Sequence, residues 1–404
     1  MARTVATLPA GSRITDYISL GVVTRCFPGP KVRVALEETG RASVRVRELP
    51  AQVMVYYVIA MALYMNSSYR EVLRCLLEGL QWLLKPSATI EVTGSSGITQ
   101  ARTRLGWEPM QRLHDEVVKP IAVKATKGAW YGEWRLVSLD GSTLDVADED
   151  KNAEAFGRPG SSRGQSAFPQ IRFVSLAEIG THVLFGTQVA GYDTSEIALS
   201  KLVLPSLKKG MLCLADRYFF GFEMWKQAAA TGADLLWRVK QNAVLPCEHR
   251  LPDGSYLSRI YPNKERRTHK GIVVRVIEYR LEGVDDAEPL YRLVTTILDH
   301  EKAPAEQLAA LYHQRWEIET AFDELKTHLR GARIVLRSKT PDLVRQEFYG
   351  LVMAHFAIRT LMHEAALSAD EDPDRISFVH TVRVIRRKLT AFGAIPPSGP
   401  ETVP

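Results

Sequence analysis

Apolar positions along the chain fall into two rhythms, one of period 3.6 at its two ends and one of period 2 in its middle. Between residues 48 and 125 three stretches carry the helical period: the run after Pro50, the segment Ser68 to Leu84, and the segment Ile98 to Val123. Each opens on a residue suited to a first turn or cap: Pro50, then Ser67 and Ser68, then Ser95, Ser96 and Thr99. From Trp134 the pattern shortens to strand-like runs, Arg135 to Asp140, Ile171 to Leu176 and His182 to Val189, separated by Gly, Ser and Pro. A helix (Ser195 to Leu207), a strand (Met211 to Asp216), a helix (Gly221 to Ala230) and a strand (Asp234 to Val239) follow. Further strands, Ile272 to Tyr279 and Tyr291 to Leu298, flank the basic stretch Lys264 to Lys270. Helical spacing returns from Pro304 to Leu329 and from Pro341 to Leu367, before a last basic segment, Arg375 to Lys388. Strands in succession and then alternating with helices predict an α/β fold, a mixed sheet covered by helices.

These shifts divide the chain into a helical N-terminal domain (1–130), the first part of an α/β core (131–240), a β-rich insertion (241–303), a core helix (304–340) and a C-terminal helical region (341–404). Composition adds little to the picture. Of 404 residues, 46% are hydrophobic and 24% charged, the balance of a globular protein with room for a sizeable core. The net charge is +6, and residues 1–50 hold eight Lys/Arg against four acids. A phosphate-facing arm and a merely solvated basic surface both fit that distribution. Cys26, Cys75, Cys213 and Cys247 lie far apart without a CxxC pair, which excludes a disulfide frame and reads as packing residues. The start of the chain lacks a basic-then-apolar signal, and Val53 to Met65 is too short to span a bilayer, so a cytoplasmic protein without membrane contact is expected.

Candidate chemistry sits in three places. The segment Tyr312-x2-Arg315-x3-Glu319-x6-Lys326 puts a phenol, two cations and an acid on a stripe roughly 60° wide, if the helix turns by about 100° per residue. An acid between cations suits a metal ligand beside a bound phosphate. An exposed helix laced with i,i+4 ion pairs would show the same residues, and Glu317, Asp323 and Glu324 compete for the acid's role. Asp216 ends the apolar run Met211 to Ala215, where a core strand delivers a ligand to the crevice of an α/β sheet; a cap would also place an Asp there. Asp140 interrupts a strand-like run and is followed by Gly141, the arrangement either of a ligand with close backbone approach or of a turn. Asp145, Asp148, Glu149 and Asp150 read as solvated loop. Three separated carboxylates make chemical sense if they converge on a pair of divalent cations that activate a nucleophile and stabilise a leaving oxygen.

In these segments the chain resembles the DDE transposases of bacterial insertion sequences, specifically the insertion-sequence 4 family. The signature is complete as Tyr312, Arg315, Glu319 and Lys326, with the first aspartate in Asp140-Gly141 and the second in Asp216-Arg217-Tyr218-Phe219. The resemblance covers about residues 40 to 390, including Ile98 to Gly106. It implies a ribonuclease H-like fold with a β-strand insertion before the Glu-bearing helix, and Asp140, Asp216 and Glu319 as catalytic ligands of Mg2+, with Mn2+ as a substitute. It also implies cut-and-paste transposition: binding of terminal inverted repeats in double-stranded DNA, nicking to free a 3′-hydroxyl, and joining to target DNA within a synaptic homodimer associated with the nucleoid. Tyr312, Arg315, Lys326 and Arg217 would contact DNA phosphates, and Arg102 and Arg104 would read the repeat. Several family members pass through a DNA hairpin and stack a flipped base on an aromatic of the insertion. Here the insertion has Tyr256, Tyr261, Tyr279 and Tyr291 but no Trp, and Trp237 just before it is the substitute. Two rivals stand beside this reading. One is a catalytically silent transposase-derived DNA-binding protein. The other is a glycosidase with paired carboxylates, which the cations beside Glu319 disfavour.

Overall fold

A computed structural model describes residues 5–6, 18–44, 49–74, 76, 90–91, 94–161, 164–262, 271–280, 288–332 and 334–394. Within these, the chain forms two compact units. One comprises Ala122–Thr143 and Arg172–Ala321, the other Met1–Ile121, Leu144–Ile171 and Phe322–Pro404.

The first unit is built on a large mixed sheet. Its strands are numbered β1 (Trp130–Tyr131), β2 (Trp134–Asp145), β3 (Gln170–Glu178), β4 (Val183–Gly191), β5 (Met211–Ala215), β6 (Asp234–Arg238), β7 (His249–Arg250), β8 (Tyr256–Ile260), β9 (Ile272–Tyr279) and β10 (Tyr291–Thr295). The order across the sheet is β7-β8-β9-β10-β6-β5-β2-β3-β4, with β1 paired to β2. Strands β2, β5 and β6 run parallel. All five residues of β5 are buried, as a strand flanked on both sides and covered on both faces requires. The central five strands, β4-β3-β2-β5-β6, have the ribonuclease H-like order. The four strands between residues 249 and 295 continue the same sheet, because β10 pairs antiparallel with β6. β8 alternates buried and half-buried positions, the pattern of a strand covered on one face. Helix Ala305–Tyr312 lays Leu308, Leu311 and Tyr312 on Leu214, Leu236, Ile277 and Leu293.

The second unit is helical, with a two-strand pairing of Val5–Ala6 and Ile90–Glu91. Its central helix, Pro341–Ala369, packs most extensively on Ala51–Leu63, in which every residue from Met54 to Leu63 is buried. Contact is close enough that a Cβ on Gly350 would stand 2.7 Å from the Val58 carbonyl oxygen. The expected helix Ile98 to Val123 is two helices, Ser95–Leu105 and Glu108–Val117, parted at Gly106, whose positive φ of 71° ends the first. Helices Ile18–Cys26 and Gly29–Glu38 were not expected. The expected helix Ser68 to Leu84 is helical at residues 69–74 and 76; its remainder within 77–89, the stretch Lys264 to Lys270, and Cys75 lie outside the described residues.

One local expectation fails. The uniform helix from Pro304 to Leu329 is instead Ala305–Tyr312, a 3-10 turn His313–Trp316, helix Glu317–Asp323 and a π-helical run Glu324–Leu329. A tightened turn followed by a widened one breaks the 100° spacing on which a single stripe depended. The Arg315 carbonyl accepts a bond from the Ser138 hydroxyl of β2 at 3.4 Å, outside the helix.

Candidate active site

Strand register brings the first two acids together. The last rung between β2 and β5 pairs Leu139 with Ala215, so the next residue on each strand is Asp140 and Asp216. Neighbouring strands lie about 4.8 Å apart, and in-register residues of a parallel pair point to the same face. Asp140, in the middle of β2, and Asp216, just past the end of β5, therefore stand at neighbouring positions where β5 ends. The register between β5 and β6 ends with Ala215 opposite Trp237, which puts Arg238 on the same level.

Each aspartate is oriented by the backbone that follows it. Asp140 Oδ1 accepts the Gly141 N–H at 2.8 Å, and Asp216 Oδ1 accepts the Arg217 N–H at 2.6 Å. Arg315, 6% exposed, links the third acid to the first: Nη1 is 3.5 Å from Asp140 Oδ2 and Nη2 is 3.4 Å from Glu319 Oε1. One guanidinium thus spans the two carboxylates, at distances loose for charge-assisted bonds. Its face lies over the exposed Trp316 ring, 4.9 Å from the centroid.

Burial pushes the Asp140 carboxyl up to about 6; the Gly141 N–H and Arg315 pull it down, while Glu196 and Glu319 push it up. Glu196, in the first turn of helix Glu196–Val203 behind its Ser195 cap, is likewise raised by burial. Its carboxylate covers Gly141 so closely that a Cβ there would come within 2.5 Å of Oε1. Carboxylates are the donors a hard divalent cation takes, so the three acids fit such an ion by type, although their oxygens do not all lie within 4.8 Å of one another here.

The competing acids are engaged elsewhere. Glu317 accepts the Gly180 N–H at 2.5 Å, Asp323 pairs with His328 at 3.1 Å, and Glu324 is buried against Arg359 and His355. Asp145 takes a bond from Gln170 at 2.7 Å and ends β2, so it is not free loop as expected.

Several expected DNA contacts need correction. Tyr312 is 6% exposed and belongs to the apolar core under the sheet; its hydroxyl donates to the Ala215 carbonyl at 3.2 Å, which makes it a brace for the strand end carrying Asp216 rather than a phosphate ligand. Arg102 is 2% exposed and spends its donors on Gln346, Ser338 and the Leu343 carbonyl, so it holds helices together and cannot reach DNA. Trp237 is fully buried edge-on to Trp225, which removes it as a stacking platform. Arg104 is exposed, and Arg217 is exposed beside Asp216. Lys326 lies in the helical unit, half-buried, with its ammonium lowered by burial and by Arg330. In the basic N-terminal stretch Arg25, Lys31 and Arg41 pair with Glu364, Glu116 and Glu108, while Arg3, Arg13, Arg45 and Arg47 fall outside the described residues.

Sequence reasoning missed Glu196, Arg238 and Glu288. Arg238 carried a usable signal, since it ends the apolar run Leu235-Leu236-Trp237 as Asp216 ends its own. Nothing local marks Glu196 or Glu288.

The family described as "Transposase DDE domain" matches residues 133–357, and "Insertion element 4 transposase N-terminal" matches residues 17–115. The chain belongs to the insertion-sequence 4 family of DDE transposases. It is 26% identical over 393 residues to transposase InsG for insertion sequence element IS4 of Escherichia coli (strain K12), covering 96% of this chain and 85% of that protein. Putative transposase InsZ of the same organism is 26% identical over 213 residues, 52% of this chain and 68% of its own length. Among solved structures, a piggyBac transposase synaptic complex with hairpin DNA aligns with a TM-score of 0.47 and 12% identity, over 98% of this chain and 85% of that one. Among the described residues, no helix of this transposase is long and apolar enough to cross a membrane.

Proposed function

We propose that this transposase is a magnesium-dependent enzyme that cuts and rejoins DNA at the terminal inverted repeats of its element, with Asp140, Asp216 and Glu319 as the metal-holding catalytic acids. The observation that carries the proposal is the register placing Asp140 and Asp216 side by side, with Glu319 tied to Asp140 through Arg315. When bound, divalent cations would ease deprotonation of the attacking water or 3′-hydroxyl and stabilise the oxygen that leaves phosphorus in line. Mn2+ is expected to substitute, being equally suited to carboxylate oxygens.

The chain's own residues supply the rest. Gly141 and Arg217 fix the rotamers of the two aspartates through their N–H groups. The Arg315 guanidinium, set between Asp140 and Glu319, offsets the repulsion among the acids. Tyr312 braces Ala215 and so sets the height of Asp216. Arg217, Lys326 and Arg104 contact DNA phosphates, and a homodimer holds two element ends for cutting and joining.

The substrate for the test is a duplex carrying the short matching inverted repeats sought in the DNA that flanks the gene. With a duplex carrying one end and Mg2+, the wild type nicks at the element boundary and is silent in EDTA. Glu319→Gln binds the same duplex and loses about a thousandfold in nicking rate, the equivalent of several kcal/mol at 1.36 kcal/mol per decade. Nicking by Glu319→Gln at the wild-type rate would remove Glu319 from the chemistry.

A further inference from the structure

Two arginines beside Asp216 converge on one acid. Arg238 Nη2 lies 2.6 Å and Arg217 Nη1 2.8 Å from Glu288 Oε1, while Gln241 Nε2 lies 3.5 Å from Oε2. Arg217 directly follows Asp216, and Arg238 ends β6 level with it, so the acid sits at the rim of the crevice that Asp140 and Asp216 face. Lys240 and Asn242 line the same open recess. Arg238 is preset, stacked 4.6 Å over the Tyr291 ring, which in turn stacks on Tyr279 at 5.3 Å.

Cations outnumber the acid in this recess. Pairing with Arg238 above all, and the charge of Arg217, hold the Glu288 carboxyl below its ordinary range. Its side chain is nevertheless 32% exposed, and that of Arg217 46%. An ion pair this open to water stabilises little and exchanges readily. A phosphodiester offers the same single negative charge and paired oxygens as a carboxylate, and two arginine forks suit it better than one carboxylate does.

We infer that Arg217, Arg238 and Gln241 form a binding site for a DNA backbone phosphate beside Asp216, and that Glu288 occupies this site as an internal stand-in until DNA displaces it. The inference rests on the DNA-cutting function proposed above and adds its phosphate seat and a built-in competitor. Non-specific binding is thereby weakened, because each duplex must first replace a carboxylate already in place.

The test is fluorescence anisotropy of the full chain with a labelled duplex of about 30 base pairs, in EDTA so that nothing is cut, across a salt series. Glu288→Gln binds about fivefold tighter than wild type. Glu248→Gln, which removes the same charge from the exposed pair with Arg259, changes affinity less than about twofold. Arg238→Gln lowers the slope of log affinity against log salt by about one, and cancels the gain when combined with Glu288→Gln. Thermal melts establish that each variant is folded. Equal effects of Glu288→Gln and Glu248→Gln, or a gain that survives Arg238→Gln, would overturn the inference while wild-type binding upholds the DNA reading. Absence of binding by every protein would take down that reading and this site with it.

Discussion

Asp140→Asn should make the metal-free transposase more stable at neutral pH while destroying its activity. Burial holds the Asp140 carboxyl at about 6 against an ordinary 3.8. A gap of roughly two pH units corresponds to about 3 kcal/mol of unfavourable charge in the folded state at 1.36 kcal/mol per unit. Because the folded value lies above the unfolded one, the cost is absent below about pH 4, grows as the pH rises, and is complete above about pH 6. Asparagine removes that cost, and because the attraction of Arg315 is already contained in the net value, the gain at pH 7.5 should be up to about 3 kcal/mol. Urea unfolding in EDTA at pH 4.5 and pH 7.5 measures it, as the stability of Asp140→Asn minus that of wild type at each pH. The difference should be larger at pH 7.5, and millimolar Mg2+ should shrink it by stabilising wild type alone. A difference equal at the two pH values, or a less stable Asp140→Asn at pH 7.5, would refute the reasoning.

Tyr312→Phe should cost about 1 kcal/mol, through the loss of its hydrogen bond to the buried Ala215 carbonyl, and leave the salt dependence of DNA binding unchanged; a shallower slope in anisotropy titrations would restore Tyr312 as a phosphate ligand. Arg102→Ala should destabilise by about 3 kcal/mol in urea by breaking its network with Gln346 and Ser338, whereas Arg104→Ala should stay within about 0.5 kcal/mol and weaken DNA binding. Gly350→Ala should cost about 2–3 kcal/mol in the same assay, since its methyl group meets the Val58 backbone at 2.7 Å. The nearest atoms a Gly141→Ala methyl meets belong to the movable end of Glu196, so its stability should change by less than about 1 kcal/mol; its nicking rate, followed on gels, should fall as Glu196 is displaced.

What the sequence made legible follows from the range of the forces involved. Strands β5, β6 and β9 are apolar runs with polar punctuation, and the alternation of strand and helix after Gly191 fixes their layering, so Asp216 could be placed at a strand end from local pattern; Asp140-Gly141 could equally be a turn, and only the structure shows β2 running on to Asp145. The third segment stood out through the types of residue it groups, Arg315 and Lys326 beside Glu319; in the structure it is Arg315 that pairs with Glu319. The failures are tertiary. Helical periodicity cannot report a 3-10 turn followed by a π run, because both conserve the apolar count while changing the angle, and so Tyr312 was assigned to a stripe when it lies in the core. Arg102 looks on paper like an exposed cation of a basic helix; only the approach of Gln346 and Ser338 from more than 230 residues away buries it. The Glu196 carboxylate over Gly141, and Glu288 between two arginines, are likewise meetings of distant segments that no local pattern encodes.

The central claim is that Asp140, Asp216 and Glu319 share one divalent-metal site, and metal-directed backbone cleavage tests it most directly. With Fe2+ in place of Mg2+, and ascorbate and peroxide to generate hydroxyl radicals, the chain is cut wherever its backbone lies next to the bound ion. Cuts are predicted around Asp140, Asp216 and Glu319 together, suppressed by excess Mg2+ and lost in the double variant Asp140→Asn, Asp216→Asn. Mg2+-sensitive cuts at only one of these segments, or at others such as that around His182, would contradict the account.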